Sequence, residues 1–457
     1  MNPLLIEPTD VLFFRDAVPM SAGQGKGAGC RLPFPSTLHE AFRGSLLRAT
    51  GGMVGCKQIE GRPRAANRTG NWHVDGHDGR TFIATKAYRS LRTIGPLPYQ
   101  NGQLLLPVPN DVVHTPDKQL ARLQLWRDAA VELHQQSVPS PVAFRPPCLP
   151  VAVTPPDKHG LLSGWWNTAQ YRAYLDISST PGEHKNNPDN FFLPLPTADL
   201  WAAEQRVGVQ IDPGSFASAE GQLYAGSYLR ANKHTRFMAW AEVADPQSAR
   251  NGEAEARRRE REQLARLDWL LLGGEFRLAR LWHQTENRQA IPDPLGELRL
   301  PPAPPPGDGP YLLKWVLVTP AIFAHGSLPG WCWNATDGRP PGEVRLGASK
   351  RKTDHQTLPG RAQLISWCLS KPRTVSGFDV VEGRAKPTLL AVPEGGVYYF
   401  LCENRDTATA LAKKLHWQPR SDFYGEKGCG YGLVSFDVQM HQTSADVPQL
   451  AKELFTA

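Results

Sequence analysis

The chain has 457 residues, more than a single hydrophobic core usually serves, so two domains with insertions are expected. Its 51 Lys and Arg outnumber 44 Asp and Glu for a formal charge of +7, which favours a polyanionic partner, and 40% hydrophobic with 21% charged residues excludes a disordered or fibrous chain. No apolar run is long enough to span a bilayer, Met1–Asp10 lacks the basic start and apolar core of a leader, and the seven cysteines show no paired spacing; a cytoplasmic, reduced protein is expected, without membrane anchor, zinc ribbon or disulfide framework.

In chain order, Leu4–Ile6 and Val11–Phe14 read as short buried strands, followed by a loop, 21–30, with glycines at the alternate positions 23, 25, 27 and 29. A helix is expected from Ser36 or Thr37, because Thr37 and Glu40 have capping-box spacing and Leu38, Ala41, Phe42, Ser45 and Ala49 share one face; Gly51 and Gly52 stop it. His39 and Arg43 fall on the opposite face. A second amphipathic helix is expected from Asp117 to about Gln135, then a Pro-rich connection from Val138 to Pro156 and a loop at Glu183–Asn190. Residues 252–266 have helical composition, with Arg257, Arg258, Arg259 and Arg261 interleaved with glutamates as a solvated face; Leu267–Leu272 then runs apolar into Gly273-Gly274.

Pro301–Pro310 marks the expected boundary between domains 1–300 and 301–457. Beyond it, Leu312–Thr319 reads as a strand, Val397–Cys402 as another, Thr407–Trp417 as a helix with Ala408, Leu411, Ala412 and Leu415 inward, and Leu433–Val438 as a last strand. The glycine-rich stretch 425–432 lies between helix and strand and is expected to be exposed at the sheet edge. This succession fits one half of a ferredoxin-like fold.

The candidate chemistry is anion recognition. Gly23, Gly25, Gly27 and Gly29 with Lys26 and Arg31 offer unobstructed backbone N–H groups beside cations, and Arg15 and Arg43 are placed to pair with phosphate. Ser36, Thr37 and His39 stand at a helix start, where N–H groups bind phosphate. In the second loop Lys427, Gly428, Gly430 and Gly432 allow close approach, and Tyr431 is expected to stack on a base. The first loop lacks the GxxxxGK[ST] order, which speaks against nucleoside triphosphate hydrolysis. His73, Asp75, His77 and Asp78 read as a solvated loop rather than a metal site, and no metal or cofactor is expected. Paired aromatics such as Trp165-Trp166 and Trp331 with Trp333 suit a core or a subunit interface. An enzyme reading rests on His39 as general acid or base, and such a site also needs a convergent Tyr, Lys or second His.

Several separated motifs, in this order, resemble one family: 7–16 (EPTDVLFFRD), 33–44 (PFPSTLHEAFRG), 207–212 (VGVQID), 221–224 (GQLY), 272–275 (LGGE), 317–323 (LVTPAIF), 376–379 (SGFD), 385–388 (AKPT), 392–399 (VPEGGVYY) and 428–432 (GCGYG). They resemble the subunit-three proteins of the type III-B (Cmr) CRISPR effector, in the RAMP superfamily. The resemblance implies an α+β fold of two ferredoxin-like (RRM-like) RAMP domains with long loop and helical insertions. It implies a non-catalytic subunit at the foot of the ribonucleoprotein that holds the repeat-derived 5′ tag of the guide (CRISPR) RNA. Its partners would be the large polymerase-type subunit and the backbone RAMP subunits, with target RNA nearby. A RAMP endoribonuclease that processes guide RNA through His39 is the alternative, and an assembly subunit that meets RNA only weakly is a third. Glu40 stands where relatives commonly have glycine and Phe378 where Trp is common; the stretches near 53–80, 138–195 and 335–360 look longer than the family needs and inherit no role.

Overall fold

In the computed structural model the residues described are 1–14, 26–27, 32–49, 57–60, 72–75, 81–84, 87–114, 120–127, 144, 146–151, 162–175, 193–212, 214–244, 253–283, 296–307, 309–333, 341–346, 358–379, 384–436 and 447–456. The first half opens with β1 (Asn2–Pro8), then the two-residue β2 (Lys26–Gly27) and α1 (Pro35–Ala49), which buries Leu38, Ala41, Phe42 and Ser45 of the face read from the sequence, together with Leu46, while Ala49 is exposed. A hairpin of β3 (Leu91–Gln100) and β4 (Gln103–Pro107) follows, then β5 (Trp165–Asn167) and α2 (Thr168–Leu175). The long hairpin β6 (Trp201–Ile211) and β7 (Ser218–Ala231) precedes β8 (Thr235–Val243), α3 (Glu253–Ala265), β9 (Trp269–Leu271) and β10 (Leu278–His283). These strands make a seven-stranded sheet ordered β5-β4-β3-β8-β1-β10-β9, beside a separate sheet β6-β7-β2.

The second half contains β11 (Tyr311–Leu317), β12 (Ala362–Cys368), β13 (Val397–Cys402), α4 (Arg405–Leu415), β14 (Gly432–Phe436) and α5 (Val447–Thr456). Asn404 caps α4 by accepting from the Thr407 N–H at 2.9 Å, the arrangement that stabilises a helix start. The four strands form an antiparallel sheet ordered β12-β13-β11-β14. The inner strands of the first sheet, β3-β8-β1-β10, follow the same rule, also antiparallel: second, third, first and fourth strand of the half, side by side.

Strand periodicity divides the apolar residues among three cores. Leu4, Ile6, Phe237 and Ala239 face α1 and α3, while Leu5, Met238 and Trp240 turn to the other side and meet Leu312, Val316, Tyr399 and Leu401 of the second sheet. The opposite face of that sheet, with Leu313, Trp315, Tyr398 and Phe400, lies under Ala408, Leu411, Ala412 and Leu415 of α4. The order is therefore helices, sheet, sheet, helix. The middle core encloses a polar cluster: Asp111 accepts from the Tyr174 and Tyr399 hydroxyls at 2.6 and 2.8 Å, with the Lys314 Nζ at 3.4 Å. Burial pushes the Asp111 carboxyl up, but Lys314 and these hydroxyls hold it below its ordinary range. Removing one partner from such a pair leaves a buried charge uncompensated, at a cost of about 3–5 kcal/mol.

Three expectations need correction. The helix expected over 117–135 is, within the described residues, two short strands, Leu120–Arg122 and Gln124–Trp126, paired with Val112–His114 and Leu149–Val151. Leu125 is buried in the middle core and Leu123 packs against it, so distant pairing outweighs local helical composition. Residues 11–14 are buried but make only isolated bridges, Leu12 with Leu229 and Phe13 with Gly273. Thr37 and Glu40 make no capping box: the Thr37 N–H donates to Phe34 O at 2.8 Å, α1 begins at Pro35, and the Glu40 carboxylate turns elsewhere. The charged face of α3 is as read, with Arg258 and Arg259 exposed and paired to Glu255, although Arg257 is buried against Glu260.

Candidate nucleic-acid interface

A cleft of about 590 Å³ runs along α1, walled by Ser36, Thr37, Glu40, Gly44 and Arg48 on one side and Phe13, Gly273, Gly274 and Phe276 on the other. Residues 37, 41, 44 and 48 recur at helical spacing, so one face of α1 lines it from the N-terminal turn onward. The first-turn N–H groups carry the positive end of the helix dipole. Arg48 is exposed and, among the described residues, forms no ion pair, which leaves its guanidinium free for an anion.

The opposite wall is a tight turn between β9 and β10. Gly273 has φ +88°, and a Cβ there would collide with the Phe13 carbonyl; the Gly274 N–H donates to that same carbonyl at 2.8 Å. Glu275 and Phe276 follow with φ of +56° and +52°, and Phe276 is left 65% exposed at the rim. An aromatic ring presented beside a backbone that excludes side chains is a surface on which a base stacks.

The hairpin β6–β7 stands next to this wall. Phe13 stacks on Tyr228 with centroids 4.7 Å apart, and the Tyr228 hydroxyl donates to Glu275 at 2.7 Å. Asp10 gathers Arg206, Arg230 and Arg277 at 3.3, 3.1 and 3.7 Å, fixing the base of the hairpin. Val207, Ile211 and Phe216 are exposed farther out, at 72%, 51% and 84%. β2 extends the hairpin in parallel, Lys26 opposite Ala225 and Gly27 opposite Gly226. The first glycine-rich loop thus joins the hairpin through these two residues; Arg15, Gly23, Gly25, Gly29 and Arg31 lie outside the described residues.

The second glycine-rich loop docks on α1, and this overturns its expected exposure. Gly428 has φ +96°, and a Cβ there would stand 2.8 Å from Thr93 O and 3.2 Å from the Pro35 Cβ. Gly430, at φ +76°, lies against Ser421, and Gly432 against Trp315 and the Val316 carbonyl. Cys429 joins Phe34, Ile322 and Ala391 in a small cluster spanning both halves, and Arg373 donates to Leu32 O at 2.6 Å. Tyr431 is 3% exposed, its ring beside Trp417 at 6.5 Å. It is a core residue and presents no face to a base. Lys427 sits 2.6 Å from Glu40, an ion pair across the two halves.

The α1 face expected to be open is also buried. His39 is 5% exposed, its Nδ1 3.3 Å from the Thr93 hydroxyl, and Arg43 is 8% exposed with Nη2 unpartnered. Burial drives the His39 pKa down to about 4; Glu40 raises it, and Lys427 and Arg43 lower it again. Ser36 and Thr37 therefore reach the cleft, whereas His39 and Arg43 stand behind it. Sequence reading missed Arg48 and Phe276; the spacing from Thr37 through Gly44 was the signal for Arg48.

Other sequence candidates lie apart from this site. Trp165 and Trp166 are core residues, and Trp331 and Trp333 pack against the outer core of the second half. His73 and Asp75 lie in a short strand, Trp72–Asp75, while His77 and Asp78 are outside the described residues. Among the described residues no His, Cys, Asp or Glu group forms a metal site, and no helix is long and apolar enough to cross a membrane. Cys148, Cys332, Cys368, Cys402 and Cys429 are free and buried.

A family model described as CRISPR-associated protein (Cas_Cmr3) matches residues 4–436. Among curated proteins none matches the chain. Solved structures similar to it include a chain of the type III-B Cmr-beta complex bound to cognate target RNA, at 15% identity and TM-score 0.39, covering 94% of this chain and 95% of that one. The same complex with target RNA and AMPPnP, state 1, gives 14% identity, TM-score 0.37 and 94% of each chain. A chain of the Csm3-Csm4 subcomplex of the type III-A interference complex gives 10% identity and TM-score 0.32, covering 88% of this chain and 94% of that one.

Proposed function

The chain belongs to the Cmr3 family of CRISPR-associated RAMP proteins, and from that premise we propose that it is a non-catalytic, guide-RNA-binding and assembly subunit of a type III-B effector. Its two halves, dividing near 301–310, are ferredoxin-like domains that share the middle core. It holds the repeat-derived 5′ tag at the foot of the complex, bridges the large subunit and the first backbone subunit, and works in the cytoplasm beside target RNA. The observation that carries the RNA reading is the cleft: a helix start at Ser36 and Thr37, a free Arg48, a glycine wall and an exposed Phe276 supply phosphate and base contacts together. The burial of His39 on the face of α1 turned away from the cleft, beside Thr93, supports the non-catalytic reading, because a general acid or base must reach the proton it transfers.

Photo-crosslinking tests the site. A repeat-tag RNA carrying 4-thiouridine is expected to crosslink to peptides holding 36–48 and 273–276. Crosslinks confined to 425–432, or cleavage of that RNA abolished by His39→Ala, would overturn the assignment.

A further inference from the structure

The face of the first sheet that turns toward the second half changes character near the β10–β9 edge. Leu5, Met238 and Trp240 are buried there, but one row out the residues are charged and aromatic. Glu7 is opposite Arg280, and Arg280 opposite Trp269, so with Arg236, bonded to Glu7 at 3.2 Å, a single row crosses β8, β1, β10 and β9. At the usual strand spacing this row spans about 14 Å. Trp282, opposite Leu5, lies under it: Arg280 stands 4.0 Å and Arg236 5.5 Å from its ring centroid, and its Nε1 donates to Glu7 at 2.7 Å.

Glu7 is thus fully engaged by Arg236 and Trp282. Arg280 is exposed and, among the described residues, forms no ion pair; its charge rests on an indole face. Trp269 and Leu278 are 47% and 45% exposed on the same side. The row carries a net positive charge, a free indole and rigid strand placement, the combination by which an antiparallel sheet face stacks two or three unpaired bases. β9 also connects this face to the cleft, because Leu271 lines the cleft two residues from Trp269.

We propose that Trp269, Arg280 and Arg236 form a second platform for single-stranded RNA, which receives the strand as it leaves the cleft around the β9 edge. The proposal rests on the RNA reading of the cleft for the identity of the ligand. Trp269 supplies the stacking surface, Arg280 the phosphate contact, and Trp282 with Glu7 hold the two arginines in place.

The test measures affinity by fluorescence anisotropy on the full chain, with labelled oligouridines of about 5 and about 15 nucleotides. The double variant Trp269→Ala, Arg280→Gln is expected to lose about tenfold for the longer RNA and nothing for the shorter, whereas Arg48→Gln weakens both. Should Arg48→Gln change neither while the double variant still weakens the longer RNA, the cleft reading fails and the platform stands. Wild-type affinity of the double variant for the longer RNA would overturn the platform, as expected if this face docks a protein instead. Arg280→Lys keeps the charge and is expected to retain most of the affinity; near-UV circular dichroism checks that each variant is folded.

Discussion

The turn at 272–276 and the loop at 425–432 occupy the same place in their halves, after the helix (α3 or α4) that precedes the fourth strand of the shared order (β10 or β14), and both are rich in glycine. Their glycines answer different neighbours. At Gly273 and Gly274 the close approach is to Phe13 of the same half, and the turn ends in an exposed Phe276 over an open cleft. At Gly428 and Gly430 the backbone is pressed against Pro35, Thr93 and Ser421, and the loop clasps the two halves together. A glycine-rich stretch thus marks close backbone approach, and only the surroundings decide whether a ligand or another part of the chain does the approaching.

The strongest way to break this contrast is to crowd the clasp. Gly428→Val would place a branched side chain at φ +96° with its Cβ 2.8 Å from the Thr93 carbonyl oxygen and 3.2 Å from the Pro35 Cβ. The strain and overpacking should cost about 3–5 kcal/mol. A large fall in thermal midpoint is expected; an unchanged one would mean that the clasp is dispensable.

Acid should loosen the same clasp through His39. Its folded pKa of about 4 lies below its ordinary value of 6.5, so the neutral ring is the form the fold accommodates. The contribution is complete above the unfolded pKa and is lost as pH falls from 6.5 toward 4, a total of about 3 kcal/mol at most. His416 is shifted the same way, so the informative quantity is the difference between wild type and His39→Gln. Melting curves across this range should be flatter for the variant; parallel curves would show that His39 is not held neutral.

Much of the fold was legible because its elements carry local signals: α1 and α4 follow from helical spacing, α3 from helix-forming composition and β13 from a continuous apolar run. The helix expected at 117–135 failed because its strand partners, 112–114 and 149–151, are set by tertiary pairing. The site was legible in half. Ser36 and Thr37 are placed as a helix start requires, but His39 and Arg43 are buried, His39 against Thr93 of β3, and beside them Lys427 meets Glu40 across 387 residues of sequence. No local pattern announces such a contact. The row through Trp269 and Arg280 was hidden for the same reason, since it exists only in the register of four strands.

The contrast between cleft and clasp predicts opposite roles for two cations, and the most direct measurement compares them. Binding of a repeat-tag RNA is followed against salt for wild type, Arg48→Gln and Lys427→Gln. Arg48, free in the cleft, should lose roughly 3- to 10-fold in affinity and reduce the logarithmic salt slope by about one. Lys427, already paired with Glu40 in a partly exposed bridge, should stay within about twofold of wild type. Loss of binding in Lys427→Gln with Arg48→Gln unchanged would place the RNA on the second loop and contradict the account.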